Sequence, residues 1–251
     1  MNTRDIILGE NFKGLFIGQT GNRKTASAAS FYEAGPIWVA DFDGKLDVVK
    51  EIFPQADIEY DTYGPHNYYK LQNAVRSKIE QMSNSKPKGT IIIDSFTMLT
   101  TSIINWQMDI RTGGDKPKVT KSGLVVPSWE EFNGEAMEVT KLLEMVKMAN
   151  CNVILTAHPV KKTRIENDKG TIVESIASMG VKSADLVPSY FKEVYYFKLV
   201  TSIDANRGPS FIVQTQPSGE CFARTNLGLP TQIVLNNDTS LYKEIQKLKR
   251  V

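Results

Sequence analysis

The sequence has little of what marks several special classes of protein. Cysteine occurs at only two of its 251 positions, Cys151 and Cys221, and neither has a partner at metal-ligand spacing. A disulfide framework and a structural zinc site are therefore excluded. No apolar run approaches the roughly 18 residues of a membrane span, and the polar N-terminus lacks the apolar stretch of a signal peptide. These absences predict a soluble protein of a reducing cytoplasm.

An excess of charge of one sign is also absent. The 30 Lys and Arg residues face 28 Asp and Glu residues, which leaves a formal net charge of +2. A histone-like polycation and an acidic disordered chain are both excluded by this balance. The apolar share of 41% is typical of a globular protein. Any binding of nucleic acid must therefore come from local basic patches.

Short apolar runs alternate with stretches of helical periodicity. The runs cover residues 14–17, 37–40, 90–93 and 153–157. The helical stretches cover residues 24–33, 68–82, 96–111 and 128–150, and the last of them opens with Ser128 and Glu131 at capping-box spacing. Continuous apolar runs are typical of strands covered on both faces, so the pattern predicts an α/β fold with a mainly parallel sheet flanked by helices.

The pattern changes after residue 158. Residues 161–182 are polar and contain glycine, which predicts a loop. Three strand-like segments follow, at residues 194–199, 211–215 and 221–225, and predict a C-terminal β-hairpin extension of the core. Residues 241–248 predict a short basic helix. We therefore expect one α/β core with its β-hairpin extension over residues 1–235, followed by a basic C-terminal helix or tail over residues 236–251.

A phosphate-binding loop follows the first apolar run. Residues 18–25 read GQTGNRKT and match three of the four fixed positions of the P-loop pattern G-x-x-x-x-G-K-[ST]. In such a loop backbone N–H groups wrap the phosphates, the lysine neutralises them and the hydroxyl binds Mg²⁺. The loop predicts ATP and Mg²⁺ as ligands. The expected nucleotide contacts are Gly18, Gln19, Thr20, Gly21, Asn22, Arg23, Lys24, Thr25 and Ala26.

Arg23 stands where the P-loop pattern has its last glycine. A side chain at this position would crowd the phosphates if it pointed toward them, and nucleotide binding would then be weakened. Because the position begins a helix, the sequence gives no reason to demand a positive φ there.

A second strand ends in a carboxylate. The segment GTIIIDS places Asp94 at the end of an apolar run, as expected of a Walker B carboxylate that holds the water shell of Mg²⁺. Thr25 and Asp94 are therefore the predicted metal ligands. The alternative is that Asp94 or Ser95 only caps the helix that begins at Phe96.

Three further segments make the chain resemble RecA-like ATPases. They are PIWVADFDGKLDVV, NCNVILTAHPV and FARTNLGLP. The resemblance implies that Asp43 activates the attacking water, that His158 senses the γ-phosphate, and that Arg224 reaches the ATP of a neighbouring subunit. Asn226 departs from the second basic position of the last segment. From the residues alone, Asp43 also suits a solvated turn, His158 a structural histidine and Arg224 plain hairpin surface.

Two more segments resemble one branch of that class, the phage-encoded single-strand annealing ATPases with an AAA domain. These are PSWEEFNGEAMEVTKLL and LVPSYFKEVYYFKL, and the overall likeness runs from about residue 12 to residue 233. It implies that Lys24, Asp43, Asp94, His158 and Arg224 take part in hydrolysis. It also implies single-stranded DNA as a partner, a homo-oligomeric filament or ring with nucleotide at the subunit boundary, and a single-strand-binding protein as a further partner.

Two basic segments, at residues 111–122 and 159–183, occupy the places of the DNA-binding loops of RecA-like proteins. Their charges would follow a DNA backbone, whereas basic loops are equally typical of solvated surface. The expected nucleic-acid contacts are Arg111, Lys116, Lys118, Lys121, Lys161, Lys162 and Arg164.

These observations support three hypotheses of function. The first is an ATP-dependent, single-stranded-DNA-binding ATPase of recombination or annealing, with hydrolysis stimulated by DNA. The second is a nucleotide-binding scaffold on DNA with little turnover, which Arg23 motivates. The third is a P-loop kinase, in which residues 161–182 would form a lid over an acceptor. Hydrolysis to free phosphate, with and without DNA, discriminates among them.

Overall fold

The computed structural model describes residues 11–112, 119–121, 123–166, 169–200, 210–218, 221–236 and 239–248. At residues 112, 162–166, 169–174 and 181 it describes the backbone alone. The strands are β1 (Lys13–Gly18), β2 (Ile37–Asp41), β3 (Ile58–Thr62), β4 (Thr90–Asp94), β5 (Asn152–Ala157), β6 (Pro159–Glu166), β7 (Lys169–Ile176), β8 (Glu193–Val200), β9 (Ser210–Gln214) and β10 (Gln232–Leu235). The helices are α1 (Lys24–Ala29), α2 (Asp47–Ile52), α3 (Tyr68–Asn84), α4 (Phe96–Thr112), α5 (Trp129–Met148), α6 (Val181–Leu186) and α7 (Leu241–Leu248), with 3₁₀ turns at Ser30–Glu33 and Val187–Tyr190.

Eight strands of the described chain form one sheet in the order β10-β9-β8-β1-β5-β4-β2-β3. The strands from β8 to β3 pair in parallel, and β9 and β10 add antiparallel to the β8 edge. The predicted α/β class, the mainly parallel sheet and the antiparallel C-terminal strands are confirmed. Strands β1 and β4 do not pair with each other, because β5 lies between them.

Strands β1, β2, β4 and β5 are buried on both faces, which explains why their apolar runs do not alternate. Leu15 and Ile17 of β1 point into one cluster of buried side chains, and Phe16 points into another on the opposite face. All six residues of β1 are buried. Helix α5 covers one face with a stripe formed by Val139, Leu142, Leu143 and Val146, at the three- and four-residue spacing of an amphipathic helix. Among the described helices, none is both long and apolar enough to cross a bilayer.

The segment predicted as a polar loop after residue 158 is a β-hairpin. Strands β6 and β7 pair antiparallel along their whole length as a separate two-stranded sheet, and α6 follows. The loop prediction was wrong because it gave weight to charge. The segments KTRIE and GTIVESI are also rich in β-branched residues, which favour strands.

The third predicted strand of the C-terminal extension, residues 221–225, is also wrong. Arg224 forms a single bridge to Val194. Strand β9 already pairs with β8 from Tyr196 onward, so only the first residues of that edge remain free for Arg224. The antiparallel third strand is instead β10, which the hydrophobic pattern did not reveal.

Helix α7 spans residues 241–248 as predicted, and it packs on the core. Leu241 and Ile245 are buried among the side chains of β9 and β10, and the Tyr242 ring meets Phe31 at 5.1 Å between centroids. The backbone N–H of Tyr242 donates to Ser30 Oγ at 3.1 Å. The expected boundary at residue 236 therefore does not separate two packing units.

Candidate active site

A cleft lies at the carboxyl edge of the parallel strands, where α/β proteins bind their ligands. Strand β1 ends at Gly18, β2 at Asp41, β4 at Asp94 and β5 at Ala157. The residues that follow these ends share one cavity of about 720 Å³. Lys24, Thr25, Asp43, Asp94 and His158 all line it, so the structure brings together residues from four separate segments of the chain.

The loop after β1 has the backbone of a phosphate cradle. Gly21 has φ +82°, a conformation that glycine adopts at no steric cost. A Cβ on Gly18 would lie 2.8 Å from the carbonyl oxygen of Phe197 in β8, so only glycine allows this close approach. The side chain of Asn22 donates to that same carbonyl at 2.9 Å and ties the loop to β8.

Lys24 extends back across the loop. Its Nζ donates to the carbonyls of Gly18 at 2.8 Å and Gln19 at 3.0 Å, and only 6% of the residue is exposed. Burial lowers the pKa of Lys24 to about 8, although the carboxylates of Asp94 and Asp43 act in the opposite direction. A buried ammonium held by neutral carbonyls gains most from a nearby anion, and a phosphate chain supplies one.

Thr25 and Asp94 meet directly. Thr25 Oγ1 donates to Asp94 Oδ2 at 2.7 Å, and Thr156 Oγ1 donates to the other carboxylate oxygen. Burial raises the pKa of Asp94 above its usual range, and these two hydrogen bonds oppose the shift. A hydroxyl beside a carboxylate at a strand end is a set of hard oxygen ligands, as Mg²⁺ prefers. These residues fit the predicted ion.

Asp43 lines the same cleft, next to His158. Its carboxylate accepts a hydrogen bond from Ser95 Oγ at 2.8 Å, and His158 Nε2 lies 3.4 Å from Oδ2. Lys45 Nζ lies 3.5 Å from the same oxygen. Burial alone would raise the pKa of Asp43, but His158, Ser95 and Lys45 together lower it to about 2. Asp43 is therefore an anion at neutral pH.

Comparison with known proteins decides the family. The family described as AAA domain matches residues 10–227 of the chain. The chain belongs to this family. The search of curated proteins finds no match. Among solved structures, the chain is similar to a KaiC-like protein from the hyperthermophilic archaeon Pyrococcus horikoshii, at 14% identity over 89% of this chain and 88% of that chain, with a TM-score of 0.45.

As an AAA domain with this loop, the chain is a P-loop nucleotide-binding ATPase domain. Lys24 and the loop backbone would hold the phosphates, and Thr25 and Asp94 would hold Mg²⁺. The ion supplies charge that offsets the negative charge of the phosphates. The individual roles of these residues stay predictions.

The backbone conformation of Arg23 differs from what the sequence led us to expect. Its φ is +68°, in the left-handed region that the usual glycine adopts freely, so the position does demand positive φ. The residue lines the cleft, and its guanidinium is held by main-chain groups that precede α7. Its guanidinium donates to the carbonyls of Asn236 and of Thr239, the latter at 3.1 Å, and lies 5.5 Å from the centre of the Phe211 ring. Only 8% of the residue is exposed, so Arg23 fastens the P-loop of this AAA domain to the segment that precedes α7.

We expect Arg23→Gly to relax the backbone and still destabilise the domain. The substitution removes two hydrogen bonds from a charged donor, each worth about 1.5–3 kcal/mol, and relieves a left-handed conformation that costs about 1–2 kcal/mol. The net loss should be about 1–5 kcal/mol in the free energy of unfolding, measured with urea. Arg23→Ala is the matched control and should be less stable still, because alanine keeps the backbone cost. Equal stability of Arg23→Gly and the parent would contradict this account.

Arg224 lies outside the cleft of its own chain. Its guanidinium donates to the carbonyls of Phe191 and Pro188, the latter at 2.6 Å. It also lines a separate, mainly apolar cavity together with Ile17, Tyr196 and Phe222. Within one chain these contacts give Arg224 a structural role between the 3₁₀ turn and β8. Its predicted action on the nucleotide of a neighbour stays a prediction.

The predicted nucleic-acid contacts divide into three groups. Arg111 is not a free surface charge, because its guanidinium donates to Ser128 Oγ at 2.9 Å and forms an ion pair with the buried Glu131 at the start of α5. The capping box predicted at Ser128 and Glu131 is present. Arg111 pairs with this box and its side chain is only 15% exposed, and its DNA contact stays a prediction. Lys121 and Lys161 are exposed. Lys116 and Lys118 lie outside the described residues. For Lys162 and Arg164 the structure describes the backbone and not the side chain.

Sequence reasoning missed Thr156 and Lys45. Thr156 is the single hydroxyl in the buried run of β5, and the register places it beside Asp94. A polar residue two positions before a predicted sensing residue was a usable signal. The sequence held no such signal for Lys45, because the distance between its ammonium and Asp43 depends on the conformation of the turn that follows β2.

Proposed function

We propose that this AAA domain is an ATP-dependent, single-stranded-DNA-binding ATPase of the phage recombination or single-strand annealing type. The observation that carries the proposal is the connection between the cleft and the basic hairpin. Strand β6 starts directly after His158, whose ring contacts Asp43. The N–H of Ala177, directly after β7, donates to the carbonyl of His158 at 2.7 Å and closes the base of the hairpin.

A short path therefore leads from the nucleotide to the proposed DNA surface. A change at the γ-phosphate would move His158 through Asp43, and the hairpin begins and ends at the backbone of His158. Thr97 Oγ1 of α4 holds the other side of the base by donating to the carbonyl of Ala177 at 2.8 Å. Because these two hydrogen bonds fix the base of the hairpin, we expect a displacement of the base to move the whole hairpin.

The hydrolytic step follows from the ionised state of Asp43. With a pKa of about 2, its carboxylate is a weak base, and it is suited to orienting a water by accepting a hydrogen bond. Ser95 and His158 hold the carboxylate in place. Lys24 would bind the phosphate oxygens on the loop side, with Thr25 and Asp94 at the metal.

We also propose a homo-oligomer, as a filament or ring, with nucleotide at the subunit boundary. Arg224 supports this arrangement because it lies outside its own cleft, so contact with a γ-phosphate requires a neighbouring chain. A single-strand-binding protein is a further proposed partner. Both cysteines in the described chain are free and buried, which suits the proposed reducing cytoplasm.

The scaffold alternative was motivated by Arg23, which lines the cleft while its guanidinium bonds to the carbonyls of Asn236 and Thr239. ATP binding without DNA-stimulated phosphate release, and with DNA binding intact, would decide for the scaffold. The kinase alternative placed a mobile lid at residues 161–182, where the structure has a paired hairpin. Transfer of phosphate to an acceptor, in place of release to water, would still decide for a kinase.

The proposal predicts ATP hydrolysis that single-stranded DNA stimulates and duplex DNA stimulates less. Released phosphate should be measured with each DNA and with none. Affinity for single strands should fall steeply with salt, and Lys161→Ala with Lys162→Ala should reduce the log–log slope by about 0.7 for each lost phosphate contact. Lys141→Ala with Lys147→Ala, at two exposed lysines of α5, is the matched control.

Two results would count against this function. If neither DNA changes the rate of hydrolysis, the recombination role fails and the ATPase domain remains. If the hairpin and control variants show the same salt slope as the parent, the DNA lies elsewhere, with residues 247–250 as the next basic segment.

A further inference from the structure

Trp129 is the exposed tryptophan of this protein. Its exposed fraction is 67%, whereas Trp38 is fully buried and Trp106 is partly buried against Tyr68. Trp129 is the first residue of α5 and lies directly after the capping residue Ser128. A large ring at a fixed helix start is therefore presented to solvent.

A cation lies over this ring. The ammonium of Lys182, in α6, is 4.7 Å from the centre of the Trp129 ring system. Lys182 is itself exposed. The pair thus combines a flat aromatic surface with a positive charge, and both groups are accessible to a ligand.

The backbone on both sides of the pair is held in place. Below Trp129, the N–H of Ser128 donates to Glu131 at 2.5 Å, and Arg111 pairs with the same carboxylate. Next to Lys182, Ser183 Oγ donates to the buried Glu135 of α5 at 2.7 Å. A ring on a fixed backbone loses little conformational entropy when a ligand stacks on it.

The pair is also connected to the cleft. Helix α6 packs against both α5 and β7, so Lys182 lies beside the base of the hairpin. The N–H of Met179, between β7 and α6, donates to Thr100 Oγ1 of α4 at 3.2 Å. The same segment begins at Ala177, which bonds to the carbonyl of His158.

We propose that Trp129 and Lys182 form a stacking site for one base of a single-stranded nucleic acid, with the ammonium next to an adjoining phosphate. This inference rests on the proposed function and adds an aromatic contact to its phosphate contacts. The ring is complementary to the face of any base, and the charge is complementary to the backbone. The group over the ring is an ammonium rather than an apolar side chain, which favours a nucleic acid over an apolar protein surface.

Stacking requires an unpaired base. In a duplex the base faces are already stacked on one another, so Trp129 would contribute to binding single strands and not duplexes. The site therefore gives a physical basis for a preference between the two forms, which phosphate contacts alone do not supply.

The test is a titration with an oligothymidylate, followed by tryptophan fluorescence and by an independent binding measurement. The parent protein should show quenching as the oligonucleotide binds. Trp129→Phe should remove most of this quenching, because Trp38 is buried and Trp106 is partly buried against Tyr68, and should keep most of the affinity. Trp129→Ala should weaken binding by about 5- to 150-fold, as expected for the loss of one stacked base. Lys182→Gln should lower the salt slope by about 0.7.

The controls separate the stacking site from the proposed function. Trp129→Ala should keep the parent's melting temperature, its hydrolysis rate without DNA and its affinity for duplex DNA. If the parent binds the oligonucleotide but Trp129→Ala binds it equally well, or loses duplex binding to the same extent, the stacking site is wrong and the DNA-binding function stands. If Trp129→Ala changes only self-association, the ring belongs to a contact between copies. If the parent binds no oligonucleotide, both proposals fail.

Discussion

Lys24→Met is expected to abolish most ATP turnover, by about 10²-fold or more, and to weaken ATP binding. Methionine keeps the length of the side chain and removes the ammonium that neutralises the phosphates. Phosphate release and the binding of a fluorescent ATP analogue would measure the two effects separately. If Lys24→Met hydrolyses ATP at the rate of the parent, the assignment of residues 18–25 as the phosphate-binding loop is wrong.

The chain offers a matched control for this substitution. Lys13 is also buried, its Nζ also donates to two main-chain carbonyls, those of Ala149 and Cys151, and burial also lowers its pKa to about 8. It begins β1, at the opposite end of the strand from the loop. Lys13→Met should therefore change stability without changing turnover per folded molecule.

The pKa of Lys24 adds a pH dependence with a definite sign. In the proposed function the phosphates bind the protonated lysine, and burial lowers its pKa to about 8 in the nucleotide-free protein. ATP affinity should be constant below that pH and fall by about tenfold per pH unit above it. Lys24→Met should lack this fall, because it has no proton to lose. A parent affinity that stays constant to pH 10 would show that Lys24 does not bind the phosphates.

Asp43→Asn is expected to lower turnover by about 10²-fold or more while ATP still binds. Asparagine keeps the shape and an acceptor for Ser95 but removes the charge that orients the water. Single-turnover hydrolysis and ATP affinity would separate chemistry from binding. The matched control is Asp47→Asn, which removes the same charge from another residue of the cleft and should have a small effect.

The low pKa of Asp43 leads to two further predictions about pH dependence. Since its folded-state pKa of about 2 lies below the usual value near 3.8, the carboxylate stabilises the fold at neutral pH, and this contribution is lost as pH falls from about 5 toward 2. Hydrolysis should show no acidic limb from Asp43 between pH 5 and pH 8. An acidic limb that disappears in Asp43→Asn would contradict the environment described for this carboxylate.

Residues close in sequence were predictable because short-range physics controls them. The apolar runs predicted β1, β2, β4 and β5, since a strand buried on both faces has no polar alternation. The loop at residues 18–25 predicted a phosphate cradle because its function depends on contiguous backbone. Ser128 and Glu131 predicted the start of α5 because a capping box spans only four residues. Asp43, Asp94 and His158 were each placed at a strand end, and a parallel sheet brings such ends to one edge.

Long side chains were not predictable in the same way, because their partners come from distant parts of the chain. Arg23, Arg111 and Arg224 all looked like charges available for a ligand. Folding gives each of them main-chain or carboxylate partners, from residues 236–239, from the start of α5 and from residues 188–191. A guanidinium that is partly buried requires such partners, and no local pattern names them. The sequence alone thus determined the parallel strands around the cleft, the phosphate loop and the edge where the site lies. Only the tertiary structure decided the pairing of the charges around that edge, because burial and pairing depend on contacts between distant segments.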